Sequence, residues 1–225
     1  MTPELWKRVD HYVEERLVHQ DPALAAAVTA SAAAALPSIA ITATQGKVLH
    51  LLARVARAQR ILEIGTLGGY STIWLARGLE PGGRMVTLEL EPRHADVARS
   101  NLARAGLAGV VELRVGAALA GLAALEREAA GPFDLVFIDA DKPSIPEYIE
   151  WAVRLGRPGT LLIVDNMIRK GALLDARSDD ADVRGARRGF ELVAAHPRLA
   201  ATAIQTVGAK GYDGFLMAVV TASTP

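Results

Sequence analysis

The chain has 225 residues, 51% of them hydrophobic and 22% charged, a composition that supplies a core and excludes a disordered chain. Its 25 Lys and Arg balance 25 Asp and Glu, so no net basic charge points to a nucleic-acid partner. The absence of cysteine excludes disulfides, thiolate catalysis and Cys-based zinc sites, and it fits a cytoplasmic protein.

The first residues include Glu4, Lys7, Arg8, Asp10, Glu14, Glu15 and Arg16, a charge density that argues against a secretory signal. Residues 3–57 read as about three helices. Within them, the run from Pro22 to Gly46 carries no charge. A membrane span needs about 20 strongly apolar residues, whereas this run is mostly Ala, Ser and Thr and is broken by Pro37. It reads as a buried Ala-rich helix or a close-packed contact with a second subunit, and no membrane partner is expected.

From residue 58 onward, apolar runs alternate with amphipathic segments. The runs are RILEIG (60–65), RMVTLEL (84–90), VVELRVG (110–116), FDLVFID (133–139) and TLLIVDN (160–166). Between them lie helical patterns at 70–79, 92–106, 118–131 and 145–156, punctuated by glycines and prolines at their ends. A last long helix at about 181–196 precedes two further strands, 200–207 and 214–220, joined by the connection GAKGYDG. This order predicts an α/β fold, a doubly wound, mostly parallel seven-stranded sheet with an antiparallel hairpin at its C-terminal end. The organisation expected is one domain over 1–225, with helices in 1–57 covering the active site and the sheet core in 58–225.

Right-handed crossovers bring all the parallel strand ends to one edge, and ligands of such sheets bind outside that edge. The polar residues gather there: Glu63 and Gly65 after the first run, Glu89 after the second, Asp139 after the fourth, Asp165 and Asn166 after the fifth. LEIGTLGGYS is not the G-x-G-x-x-G fingerprint; its spacing is E-x-G-x-x-x-G, from Glu63 to Gly69. Glycines let backbone approach a ligand, and the following helix start, near Ser71, can receive a carboxylate. Glu63 either faces an ammonium or orients the loop. Glu89 ends the next strand, where an acid commonly accepts ribose hydroxyls. Carboxylate, ammonium and ribose together describe S-adenosylmethionine, while the ribose acid alone suits a nicotinamide cofactor equally well.

Asp139, Asp165 and Asn166 are oxygen donors on neighbouring strand ends, the set that a hard divalent cation such as Mg²⁺ prefers. FDLVFIDADK then places Lys142 close by. A nearby cation and burial both favour a neutral amine, and a metal makes a hydroxyl more acidic, so a lysine there can take a phenolic proton. Its plain alternative is a residue that only caps the turn before Pro143. None of the five histidines falls at a strand tip in this reading, which disfavours a histidine-based metal site.

With these residues placed, the chain resembles the cation-dependent, S-adenosylmethionine-dependent O-methyltransferases of the caffeoyl-CoA and catechol type, from about Ile41 to Val220. The likeness rests on LEIGTLGGYS, VTLELEP, FDLVFIDADK and TLLIVDN in order. It implies the class I methyltransferase fold and a homodimer. It also implies cofactor contacts from Glu63, Gly65, Thr66, Gly69, Ser71, Glu89 and Asp141, with Ile41 and Ala118 lining the pocket. Asp139, Asp165 and Asn166 would hold the cation, Mg²⁺ first and Ca²⁺ or Mn²⁺ next, and Lys142 would be the base that ionises a phenolic, catechol-like small-molecule acceptor. The chain departs from the animal catechol enzymes, which have His and Trp where Ala140 and Asp141 stand. It departs from the plant acyl-CoA branch at Lys170, where that branch has Asn, and in GAKGYDG. The long charged segment 167–185 is expected to border the acceptor mouth. Two rivals stand beside this reading: a nicotinamide-dependent oxidoreductase, disfavoured by the missing fingerprint, and a non-catalytic cofactor-binding protein on the same fold.

Overall fold

A computed structural model describes residues 2–19 and 21–222. Three helices come first: α1 (Pro3–Leu17), α2 (Pro22–Ala33) and α3 (Ala43–Val55). Each has a local reason to start where it does. The Asp21 carboxylate accepts the Ala23 and Leu24 N–H groups at 3.1 and 3.0 Å, and Pro22 opens α2 where a missing N–H costs nothing. Thr42 and Gln45 form a reciprocal capping box at the start of α3. The Ala-rich α2 is not a fully buried helix: only Leu24 and Ala27 are buried, and Val28 is 52% exposed. Alanine on every face gives the helix no strong apolar stripe, so one side packs on the molecule and the other remains open. Among the described residues, no helix is long and apolar enough to cross a membrane.

The sheet follows: β1 (Arg60–Ile64), α4 (Tyr70–Ala76), β2 (Arg84–Glu89), α5 (Pro92–Arg104), β3 (Val111–Val115), α6 (Ala118–Arg127), β4 (Leu135–Ile138), α7 (Ile145–Leu155), β5 (Leu161–Val164), α8 (Ala181–Ala195), β6 (Leu199–Gly208) and β7 (Gly211–Val220). Spatially the strands run β3-β2-β1-β4-β5-β7-β6. All pairs through β5 are parallel, and β7 is inserted antiparallel between β5 and β6. The order reverses between β1 and β4, which makes their C-terminal ends the switch point of the sheet.

The central strands alternate between two apolar faces. Ile61, Leu135 and Phe137 pack with α3, α4 and α5 on one side; Leu62, Ile64, Val136 and Ile138 pack with α6, α7 and α8 on the other. Burial on both faces explains why these strands read as continuous hydrophobic runs. Several boundaries differ from the sequence reading, among them the end of α6, at Arg127 rather than residue 131. Helix α4 stops at Ala76 rather than residue 79. The final hairpin turns on Ala209 and Lys210 alone, because pairing continues through Gly208–Gly211, Val207–Tyr212 and Thr206–Asp213. Most of GAKGYDG is therefore strand, with Gly211 in a left-handed conformation (φ 96°) at the turn.

Candidate active site

The glycine loop leaves β1 at Gly65, whose φ of 96° puts it where L-residues are strained. A Cβ on Gly65 would lie 2.1 Å from the Asp139 carbonyl oxygen, so the loop backs directly onto the end of β4. The loop is then pinned to β2. Glu89 Oε2 accepts the Thr66 and Leu67 N–H groups at 3.1 and 2.7 Å, and Oε1 accepts Glu91 N–H at 3.0 Å. His94, from the first turn of α5, brings Nδ1 to 3.4 Å from Glu89 Oε1. One histidine therefore does meet an acid at a strand tip, through a helix rather than through its own strand. Gly116 N–H donates to the Glu89 carbonyl at 2.8 Å, which brings half-buried Ala118, at the start of α6, to the same edge.

Glu63 lies beneath the loop and is fully buried. Ser71, Thr72 and Thr87 hydroxyls donate to its carboxylate at 2.7, 2.5 and 2.7 Å, and Thr66 is hydrogen-bonded to Thr87 at 2.6 Å. Burial pushes the Glu63 carboxyl up to about 7, against the pull of the three hydroxyls. Of the two roles open to Glu63, this geometry favours orienting the loop, since every donor to it is a protein hydroxyl. Ser71 is committed to the same carboxylate. Gly69 (φ 80°) caps α4, and its N–H donates to the Thr66 carbonyl at 2.8 Å. Ile41 is buried in the cluster that contains Tyr70 and Trp74, the start of α4.

The acids lie one strand further along. Asp139 N–H donates to Ile64 O and Asp165 N–H to Ile138 O, each at 2.9 Å, so the tips of β1, β4 and β5 are in step. Lys142 is buried, with Nζ 3.2 Å from Asp139 Oδ1. It opens a short 3-10 turn, Lys142–Ser144, and Gly185 of α8 is packed on its carbonyl. Asp165 is buried, and burial followed by the Asp139 charge raises its carboxyl to about 7, while Lys142 and the Asn166 N–H act in the opposite direction. That N–H lies 2.8 Å from Asp165 Oδ1, and Asn166 is left-handed (φ 55°). Two carboxylates thus crowd an edge with one lysine against them. Among the described residues, no group of three or more His, Cys, Asp and Glu side chains is placed to hold a metal ion.

Asp141 is set apart from that pair. It is exposed, and it accepts the Tyr148 hydroxyl of α7 at 2.6 Å; burial and the Asp141 carboxylate both raise the Tyr148 phenol above its usual value. The segment after β5 contains a 3-10 stretch, Arg169–Leu174, with Arg169 (φ 53°) and Lys170 (φ 55°) left-handed.

Sequence reasoning missed four contributors. Asp213 accepts the Ile168, Arg169 and Gly214 N–H groups at 3.1, 2.9 and 2.9 Å, and so shapes the turn after Asn166. It had been read as part of a loop, and only its place beside β5 in the sheet shows its role. Thr72 of helix α4 and Thr87 of strand β2 have no motif of their own. Lys210, at the hairpin tip, is within the electrostatic influence of Asp139, Asp165 and Asp213.

Residues 14–216 match the family model described as O-methyltransferase. The chain belongs to the O-methyltransferase family. A catechol O-methyltransferase of Mycobacterium tuberculosis is 60% identical over 212 residues, 94% of each chain. A catechol O-methyltransferase of Niastella koreensis is 49% identical over 220 residues, 98% of this chain and all of that one. Among solved structures, an O-methyltransferase from Bacillus cereus in complex with SAH superposes with a TM-score of 0.96 at 55% identity, covering 98% of this chain and 100% of that one. The O-methyltransferase TomG of Streptomyces achromogenes, involved in tomaymycin synthesis and solved with SAM, gives 0.96 at 53% identity, covering 99% and 100%. Membership of an O-methyltransferase family decides against the nicotinamide oxidoreductase.

Proposed function

We propose that this chain transfers a methyl group from S-adenosylmethionine to one hydroxyl of a catechol-like acceptor, with the help of a divalent cation. The observation that carries the reading is the pairing, on adjacent strand tips, of Asp139 and buried Asp165 with the Lys142 ammonium 3.2 Å from Asp139. The names of the 60% and 49% identical relatives supply the acceptor class, and the SAH- and SAM-bound neighbours support the methyl donor.

The donor set fits a cation. Two carboxylates are held close enough for one to raise the other's affinity for a proton, and a divalent ion would relieve that crowding better than one lysine does. Asp139, Asp165 and the Asn166 amide would hold it, with water completing the shell. When bound, the sulfonium cofactor supplies an electrophilic methyl group and the cation supplies charge that makes an acceptor hydroxyl more acidic.

The chain's own part is recognition, orientation and proton removal. Glu89 would receive the cofactor's ribose. A carboxylate has about four acceptor directions, and three are taken by backbone N–H groups, which leaves one for a ligand hydroxyl in competition with His94. Glu63 and its hydroxyls fix the loop that carries Gly65, Thr66 and Gly69. Lys142 would take the acceptor's proton only as the neutral amine, after its own extra proton has left to solvent, and its buried setting beside Asp139 keeps the nitrogen aimed at the acid edge. Transfer to an oxygen needs no general acid at carbon, so holding the partners in line is most of the task.

The test is methyl transfer from S-adenosylmethionine to a panel of catechols with Mg²⁺, repeated after chelation. Methylated product that disappears with chelator and returns with excess Mg²⁺ is the expected result. Transfer unchanged by chelation would remove the cation from the mechanism, and no transfer to any catechol would leave the non-catalytic rival standing.

A further inference from the structure

The connection between α2 and α3 (residues 34–42) is a strap across the ligand-binding edge. At one end it covers the glycine loop: a Cβ on Gly68 would meet Leu36 Cδ1 at 3.6 Å, beside Ser31 Oγ of α2 at 2.1 Å. At the other end it meets the tip of the β6–β7 hairpin. Between these ends only Leu36 and Ile41 are buried, and Ala35, Pro37, Ser38, Ile39 and Ala40 are exposed. Its backbone has few bonds of its own, among them Leu36 N–H to Ser31 O at 3.0 Å and Ile39 N–H to Pro37 O at 2.9 Å. Two buried side chains and such short-range bonds do little to fix a nine-residue strap in one place.

Two cations supply the anchorage. An Arg93 guanidinium N–H donates to the Ala34 carbonyl at the C-terminal cap of α2. The Lys210 ammonium donates to the carbonyls of Ile39 and Ala40 at 2.7 and 2.6 Å. The hairpin tip that presents Lys210 is itself held by α1, since Asp10 Oδ2 accepts Ala209 N–H at 2.9 Å while Oδ1 accepts the Thr44 hydroxyl of α3 at 2.9 Å. Asp213, on the same hairpin, accepts the Ile168 and Arg169 N–H groups at 3.1 and 2.9 Å, which brings the hairpin beside the turn after Asn166; desolvation lowers the Lys210 ammonium's proton affinity against the pull of Asp139, Asp165 and Asp213. The Lys210 clamp therefore joins the strap over the glycine loop to the side of the site where Asp139 and Asp165 lie.

We propose that Lys210 is a positioning residue for the transfer reaction: by clamping the Ile39 and Ala40 carbonyls it holds the strap as the wall of the acceptor pocket. This rests on the proposed function, but the clamp itself does not. Two hydrogen bonds from an ammonium to carbonyls are of the strong, charge-assisted kind. Lys210 touches neither acid within ion-pair distance among the described residues, so its effect falls on pocket shape rather than on the reacting atoms.

The experiment compares wild type with Lys210→Met, which keeps the stem and removes the donors, and Lys210→Arg, which restores donors. Amide hydrogen exchange across residues 35–42 reads the clamp without any substrate. Steady-state transfer to a catechol with saturating S-adenosylmethionine and Mg²⁺ reads its consequence. In Lys210→Met, exchange in the strap is expected to quicken about tenfold while β4 and β5 keep their protection. KM for the acceptor is expected to rise about tenfold with kcat changed less than about threefold, and Lys210→Arg is expected to recover most of both. Unchanged strap exchange in Lys210→Met overturns the clamp. A loss confined to kcat, or no recovery in Lys210→Arg, overturns the positioning role. If wild type transfers no methyl group to any catechol, the proposed function fails while the exchange comparison still decides on the clamp.

Discussion

Asp165→Asn is expected to stabilise the ligand-free chain at alkaline pH while it abolishes transfer. Burial and the neighbouring Asp139 hold the Asp165 carboxyl at about 7 instead of 3.8. At about 1.4 kcal/mol per pH unit, a rise of about 3 units sets an upper bound of about 4 kcal/mol on the cost of its ionised form. The Lys142 charge and the Asn166 N–H act against that cost, so one substitution recovers about half of it, roughly 2 kcal/mol. The sign follows from linkage. Between about pH 4 and pH 7 the folded chain keeps a proton that the unfolded chain has released, so this group's contribution to stability falls as pH rises through that window. At pH 8 wild type bears the full cost and the neutral isostere does not; by pH 5 the difference shrinks to less than half. For a chain of this length about 2 kcal/mol shifts the midpoint by about 4–8 °C. Thermal unfolding with chelator present, at pH 8 and pH 5, is the assay; ionisable groups away from the acid edge are common to both proteins and cancel in the comparison. A variant less stable than wild type at pH 8, or an advantage identical at the two pH values, would refute the reasoning.

The remaining predictions concern the loop and the base. Gly65→Ala forces a left-handed alanine whose Cβ would sit 2.1 Å from backbone oxygen of Asp139, and neither partner is a flexible side chain. A loss of about 3 kcal/mol or more in denaturant unfolding is expected; a loss below about 1 kcal/mol would mean that the two strand ends can part. Lys142→Met is expected to lower kcat by about 10²–10⁴ with S-adenosylmethionine binding retained, as suits loss of a proton acceptor. Lys142→Arg preserves the ion pair with Asp139 but cannot release a proton at working pH, so it should be equally slow. A fast arginine variant in single-turnover assays would assign Lys142 to charge alone.

The fold was legible because its central strands obey a simple rule. Strands covered by helices on both faces must be apolar on both, and the runs at 60–65, 133–139 and 160–166 contain β1, β4 and β5. The edge residues were legible for a related reason: in so apolar a sheet, Glu63, Glu89, Asp139 and Asp165 are conspicuous at the ends of their runs. What the chain order hides is which polar group meets which. Glu63 ties to Thr87 across 24 residues and Asp213 to Ile168 across 45, and no local pattern announces either pair. The extent of the hairpin was misjudged because glycines in GAKGYDG suggest a loop, whereas Gly211 and Gly214 sit within the β6–β7 ladder. Lys210 is one exposed lysine in a charged chain until the β6–β7 turn brings it to the carbonyls of Ile39 and Ala40, about 170 residues earlier.

The contact between Gly65 and Asp139 bears on how such a site keeps its geometry. In the proposed reaction the methyl donor belongs to the glycine loop and the acceptor to the acid edge, and their separation decides the rate. The three atoms nearest a Cβ at Gly65 are all backbone, from Asp139 and Ala140. Backbone of the loop lies against backbone of β4, while the Asp139 N–H is bonded to Ile64, the residue before Gly65. Rotamer motion therefore cannot alter this spacing; only movement of β1 relative to β4 can, and those strands are locked in register with buried residues on both faces. The side chains around this fixed joint can then vary with the acceptor. Ala140 and Asp141 follow directly after the joint and Lys170 lies beyond the next strand, so each can change without disturbing the distance that the reaction depends on.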